Sequence, residues 1–433
     1  GEGRVGNEAG GNGLETTQLS NFTATSDNSG AKELWRGPWA GISRTNWILT
    51  NIDKSPKISD AKKTQYKGEA HFLRGLYYFN LVRLFGDVPW IDKQQTASDD
   101  LQVSRTSKDI VYQHIIDDFS DAASMLPAVY ENTTDIGRAT KGAAFGLLAK
   151  VYLTLKRYNE TLVAIDSVTN LGVYSLNRKY EWNFSDLREN GPESLFEVQY
   201  EKDVTAYSEF DILGQGGWHH EYMAPLASIN IGGPWGNFGW FAVYPEFVES
   251  YEPGDLRKSV SVWCEGDVYQ GWSYDPTCSQ TGHNVKKFLC ENIGVDRAMD
   301  SPLNFPVLRF ADVLLMQAEA LNELGRSSEA AAPASAMGNV QFFWWRAGLP
   351  NVTTTDQVEL REIIRHERRM ELAFEGGHRW FDLVRYDNDG EYAKTFFQSI
   401  GKTNFTTPKH LLLPVPIDDI DANPNLLPNN PGY

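Results

Sequence analysis

Cysteine is scarce in this chain: there are three among 433 residues, Cys264, Cys278 and Cys290. No CxxC pair occurs, and the spacing fits no zinc pattern. A loop disulfide between Cys264 and Cys278 is open on spacing, with Cys290 then left over; the odd, low count leaves the redox compartment undecided. Long apolar runs are also missing, so no segment reads as a membrane span. The first residues, GEGRVGNEAGGNGLETTQL, lack the apolar stretch of a signal peptide, which reads as a cytosolic protein or as a mature or trimmed form. Basic charge is in deficit, 40 Lys and Arg against 57 Asp and Glu, for a net charge of −17. Nucleic acid and anionic membrane surfaces repel such a chain and are set aside as partners.

Aromatic residues are abundant instead. Thirteen Trp, nineteen Tyr and twenty-two Phe exceed what packing obviously needs, and the surplus points to a binding surface, with sugar-binding surfaces prominent among the choices. The length allows one large domain or two to three ordinary ones.

The stretch ERRMELAFEGGHRWFDLVRY (367–386) interleaves charges of both signs with apolar residues. Glu367, Glu371, Glu375 and Asp382 read as acid/base candidates or as members of an ion-pair lattice. Arg365, Arg368, Arg369, Arg379 and Arg385 would hold those carboxylates ionised, which suits a lattice on a patterned helix and not a general acid. A helical glycoside hydrolase needs two carboxylates roughly 5 to 9.5 Å apart across the scissile bond. No carboxylate pair in the loops comes with further signs of a cleft, so no catalytic residue is assigned.

Along the chain, residues 1–13 form a Gly-rich lead-in. From Lys32 apolar residues recur at helical spacing, interrupted at Pro38, with Trp35, Trp39, Ile42, Trp47 and Leu49 expected in the core. Tyr66, Ala70, Leu73, Tyr77, Leu81 and Leu84 step along one face of a helix expected over 60–85, stopped by Gly86 and Pro89. A second helix is expected over 108–126. Phe145, Leu148, Ala149 and Tyr152 match the first helix of a tetratricopeptide pair, with Thr161 where that repeat usually has Ala. The pattern recurs over 310–332, where Ala318 and Ala330 take the small positions. Two such units so far apart make no solenoid; they form a scaffold holding a long segment, about 171–305. That segment contains one clear strand candidate, 195–200, and then aromatic-bearing loops. Residues 330–350 should complete a helical pair, but Pro333, Gly338 and four consecutive aromatics, Phe342 to Trp345, oppose it. The Pro/Asn-rich tail 408–433 reads as an extended clasp.

Three stretches together, HFLRGLYYFNLVRLFGDVPW (71–90), RRMELAFEGGHRWFDLVRY (368–386) and HLLLPVPIDDIDANPNLLPNNPGY (410–433), resemble the SusD/RagB family of surface glycan-binding lipoproteins. The resemblance runs from about Asn21 to Tyr433. It implies a single mainly α domain over 1–433: tetratricopeptide-like helical pairs as a scaffold (about 32–170 and 306–400), a loop-rich ligand-binding insertion (about 171–305), few short strands and the clasp. It also implies a non-catalytic surface lipoprotein of a Bacteroidetes-type outer membrane. Such a protein binds oligo- or polysaccharide and delivers it to a TonB-dependent SusC-like transporter. The N-terminal lipid anchor is not visible in these residues and rests on the resemblance alone. The RagB side of the family allows peptides as ligands instead.

A glycan site needs flat aromatic faces and a few oriented polar groups. In the insertion, Trp235 lies among Gly232, Gly233, Pro234 and Gly236, and Trp272 and Tyr274 lie between Gly271 and Pro276; both are turn chemistry that exposes a ring. The expected ligand-binding residues are Trp218, Trp235, Phe238, Trp272 and Tyr274, with Asp27, Asn28 and Asn237 as polar partners. Each Trp competes with a core role at about even odds. Trp344 and Trp345 qualify only if their segment is a loop. His219, His220 and Glu221 invite a metal, but adjacent residues rarely converge on one ion, so neither a metal nor a cofactor is expected. The negative net charge leans against a polyanionic glycan such as alginate.

Overall fold

The computed structural model describes residues 3–5, 13–202, 216–217, 219, 223–225, 239, 241–269, 271–290, 301–331, 346–350 and 352–433. Among these the protein is mainly α-helical with few short strands. The chain forms two compact units, Gly1–Thr17 with Val173–Trp380, and Gln18–Gly172 with Phe381–Tyr433.

In the second unit, the polar loop before the first long helix ends at Asn28, whose side-chain oxygen accepts from the Ala31 amide at 2.9 Å and caps the helix Ser29–Asn51. That helix runs through Pro38 without the expected break. Proline removes one backbone bond, but packing on both sides holds the axis. Trp35 meets Phe85 edge-on at 5.0 Å, and Trp39 meets Tyr78 at 5.9 Å. Trp47, expected in the core, is instead 56% exposed. Trp35, Ile42 and Asn46 share the buried face at steps of seven and eleven residues, and Trp47 falls one residue, roughly 100°, around from it.

The helix Asp60–Phe85 has the bounds that its apolar spacing predicts. It packs against Ser29–Asn51 and Lys108–Met125, and the latter against Lys141–Thr154. Arg74 crosses this core. Its guanidinium donates to both Asp118 oxygens at 2.9 and 2.7 Å and to the Asn46 side-chain oxygen at 2.9 Å. The pair Lys141–Thr154 and Tyr158–Thr169 closes over Ala149, which is wholly buried. Thr161 is accommodated there because its hydroxyl donates to the Arg157 carbonyl at 3.0 Å. The tail lies along the end of Asp60–Phe85: the Leu413 amide donates to Leu84 O at 2.7 Å, and the Asn430 amide group to Phe85 O at 2.9 Å.

The first unit holds a second helical pair, Phe310–Glu323 and Ser327–Ala331, with Ala318 and Ala330 buried between them. The stretch 332–345, with Pro333, Gly338 and the four aromatics, lies outside the described residues. Strand Ser194–Val198 pairs antiparallel with Phe305–Arg309. Beyond it lie three strands of a four-stranded sheet ordered Gly3–Val5, Phe241–Val243, Asn284–Val285, Val262–Trp263, whose first strand comes from the Gly-rich N-terminal stretch, and a hairpin of Val268–Tyr269 with Trp272–Ser273. Strands of two or three residues carry no readable alternation, so sequence periodicity misses them.

The stretch 367–386 is not one helix. Gln357–Glu371 ends, Phe374, Gly376 and Gly377 adopt positive φ, and a new helix begins at His378. The turn aims the Glu375 carboxylate inward. There Glu193, Glu367, Glu371, Glu375 and Asp255 meet Arg257, Lys287, Arg309 and Arg346, all buried. Arg309 reaches Glu375 at 2.7 Å, Glu193 at 2.6 Å and Glu371 at 3.1 Å; Lys287 reaches Glu375 at 2.6 Å, and Arg346 pairs with Glu371. Burial alone would raise the Glu371 carboxyl, but the guanidiniums of Arg346, Arg309 and Arg257 hold it down at about 2. Asp382 pairs with Arg385 at 2.7 Å. These carboxylates are ion-pair partners, and none opens onto a cleft among the described residues.

Candidate aromatic cleft

The lattice fixes one wall of a cleft in the first unit. The hydroxyl of Tyr180, which begins the short turn Tyr180–Phe184, donates to the Glu371 carbonyl at 2.7 Å. Next to it, Phe184 packs edge-on against Phe288 at 5.8 Å and lies 4.5 Å from the Lys287 ammonium. Burial pushes Lys287 down to about 8 against the pull of Glu375. These contacts anchor the turn, and the cleft opens beyond it with a volume of about 490 Å³, within the range of small-molecule sites.

Besides the buried Phe184, two half-exposed aromatic rings line it from different segments. Trp182 projects from the turn with the Arg188 guanidinium over its ring at 4.1 Å. Tyr269, from the hairpin, is held by its hydroxyl, which donates to Leu289 O at 3.3 Å, and by edge contact with Trp263 at 5.8 Å. Leu289, Cys290 and Leu303 add apolar lining, and Glu181, Ser185, Asp186, Ser259 and Lys286 add polar groups. Half-exposed rings with carboxylate, hydroxyl and ammonium groups around them can stack on an apolar ligand face and hydrogen-bond its rim.

Of the residues expected from sequence, Trp272 is the cross-strand neighbour of Tyr269 and is partly exposed beside it. Tyr274 continues the same strand direction but is buried: its ring meets Trp263 at 5.3 Å, and its hydroxyl donates to the Asn284 side-chain oxygen at 2.7 Å. Asp27 and Asn28 belong to the other unit. Asp27 is exposed and accepts from the Thr25 hydroxyl; Asn28 is buried as a helix cap, its amide also donating to Gln18 at 2.8 Å. Trp218, Trp235, Asn237 and Phe238 lie outside the described residues, as do His220, Glu221, Trp344 and Trp345. His219 is buried, its Nε2 3.0 Å from Leu303 O among the rings of Tyr200, Phe288 and Phe305, and burial pushes it down to about 4. No group of three or more metal-ligating side chains occurs among the described residues. The three cysteines form no disulfide there, Cys264 being half-buried and the other two buried.

Sequence reading missed Trp182, Tyr269, Asp186 and Lys286. The signal was present in KYEWNFSDLREN (179–190), which mixes aromatic and acidic residues. It has no glycine beside its Trp, the cue that singled out Trp235 and Trp272.

A helical scaffold carrying an aromatic-lined, polar-rimmed cleft defines a ligand-binding protein class. Comparison with known proteins narrows it. Residues 192–433 match the family model described as "SusD family", and residues 6–153 match "Starch-binding associating with outer membrane". The chain belongs to the SusD family. It is 29% identical over 96% of its length to SusD-like protein P2 of Formosa agariphila, covering 83% of that protein, and 28% identical over 96% to SusD-like protein P38 of the same organism, again covering 83%. Among solved structures, a laminarin-binding SusD-like protein superposes with a TM-score of 0.83 at 25% identity, over all of this chain and 91% of that one. The SusD family consists of binding proteins.

Proposed function

We propose that the chain binds an oligo- or polysaccharide without cleaving it and passes it to a SusC-like TonB-dependent transporter. It would act at the surface of the outer membrane, held there by an N-terminal lipid anchor. The observation that carries the ligand class is the pair of rings, Trp182 and Tyr269, on different walls of one cleft with Glu181, Ser185, Asp186 and Ser259 around them. The β-face of a pyranose presents C–H groups to such rings and hydroxyls to such a rim. Trp272 extends the aromatic surface along the hairpin, with Trp218, Trp235, Phe238 and Asn237 as further ligand contacts. Tyr274 acts beneath the hairpin as support. Membership of the SusD family supports the transporter role, and the laminarin-binding relative supports a glucan as the first ligand to try.

Calorimetry and affinity electrophoresis against laminarin, starch, other neutral polysaccharides and a peptide panel test the reading. At least one neutral glycan is expected to bind with no reducing ends released. Binding of peptides with none of the glycans would assign the scaffold to the RagB-like alternative. Release of reducing ends would revive the hydrolase.

A further inference from the structure

Lys286 projects into the aromatic cleft, and among the described residues no carboxylate pairs with its ammonium. Its nitrogen lies 5.9 Å from the centre of the Tyr269 ring. This differs from its surroundings. The adjacent Lys287 is buried and bonded to Glu375, and Glu181 at the same cleft is paired with Lys179 at 3.2 Å. In a chain of net charge −17, an ammonium at a ligand cleft with no carboxylate partner among the described residues stands out. Its backbone is fixed by the Lys286 amide, which donates to Ser261 O at 3.0 Å, so the side chain emerges from a set point on the wall.

We infer that the cleft recognises a glycan carrying a sparse anionic substituent, a carboxylate or a sulfate ester, with Lys286 as the residue that selects it. The inference rests on the glycan reading above and adds the charge of one substituent. The substituent is sparse because the chain carries a net charge of −17, which repels a densely anionic ligand. A polyanion is disfavoured for the same reason. The cation and the ring of Tyr269 act as a unit, the ring taking the sugar face and the ammonium the charged group beside it.

The test uses a laminari-oligosaccharide, the same oligosaccharide with one terminal glucuronate, and a monosulfated form, titrated into the full chain. Wild type should bind one of the anionic forms about 3- to 10-fold tighter than the neutral one at low salt, and high salt should erase the difference. Lys286→Met keeps the apolar stem and should bind all three forms alike, the preference for the anionic form gone. Which anionic form gains identifies carboxylate or sulfate as the chemistry. Equal wild-type affinity for all three overturns the inference and leaves the glycan reading standing. So does an equal loss for all three in Lys286→Met, since the lysine would then serve only hydroxyls. If none of the three binds while other neutral glycans do, the anionic selection is rejected and the glycan class stands. If no glycan binds at all, both fall.

Discussion

Trp182 owes its position to Arg188, whose guanidinium covers it at 4.1 Å, and to a turn anchored through Tyr180 and Phe184. Its ring is therefore pre-set for a ligand, at little ordering cost on binding. Trp182→Ala and Tyr269→Ala should each weaken glycan affinity by about 1–3 kcal/mol, as truncation of an aromatic anchor does. Calorimetry beside a thermal melt checks this: unchanged affinity in two folded variants would place the site elsewhere. Glu371 behaves oppositely. It is wholly buried among Arg257, Arg309 and Arg346, so Glu371→Gln leaves guanidinium charge uncompensated and should cost about 3–5 kcal/mol of stability. Any Glu371→Gln protein that still folds should bind glycan as wild type does. Urea titration compares the two, and a folded, fully stable variant would contradict the lattice.

At the level of elements, the hairpin Val268–Tyr269/Trp272–Ser273 turns at Gly271, whose φ is +81° with no atom within 4 Å of a built Cβ. Gly271→Ala meets no clash, only the left-handed backbone, and should cost about 1 kcal/mol locally. Because Tyr269 and Trp272 flank that turn, affinity should fall severalfold while the melting temperature moves little. Unchanged affinity would remove the hairpin from the site. The same hairpin shows where sequence stops being readable. Long helices were legible: Asp60–Phe85 has its apolar spacing, a Ser59 cap and a Gly86 stop. That ion pairs form was legible from the Arg and Glu interleaving of 365–385, but their partners were not. Glu367, Glu371 and Glu375 pair with Arg257, Lys287, Arg309 and Arg346 from distant segments, while Arg365, Arg368 and Arg369 turn to Glu362, Asp312 and Glu246. The break at Phe374–Gly377 was not foreseen either. The cleft was not. Its walls come from 181–187, 259–260, 269, 286–290 and 303, segments brought together by apolar packing such as Phe184 on Phe288, by short strand pairings and by the buried charges behind them. No spacing rule joins Trp182 to Tyr269. Trp272 could be flagged from its neighbouring glycine, but its cross-strand partner is defined only by register.

For the molecule as a whole, buried titratable groups set how stability responds to acid, and two windows separate. His219 is neutral when folded: burial pushes it from 6.5 down to about 4. Between those values the unfolded chain takes up a proton that the folded chain refuses. Stability from this group is full above pH 6.5 and falls as the pH drops towards 4, by up to about 3 kcal/mol. Glu371 acts lower. Its carboxyl ordinarily titrates near 4.5 and is held at about 2, so its contribution is full above 4.5 and is lost as the pH falls from 4.5 to 2. Acid should therefore destabilise the protein in two stages. His219→Phe keeps a ring among Tyr200, Phe288 and Phe305 but gives up the bond to Leu303 O. It should lower stability at pH 7 and flatten the curve between pH 6.5 and 4, leaving the fall below 4.5 that Glu371 causes. Urea unfolding at half-unit pH steps measures both slopes. A His219→Phe curve parallel to wild type down to pH 4 would show that the fall in that window comes from other groups.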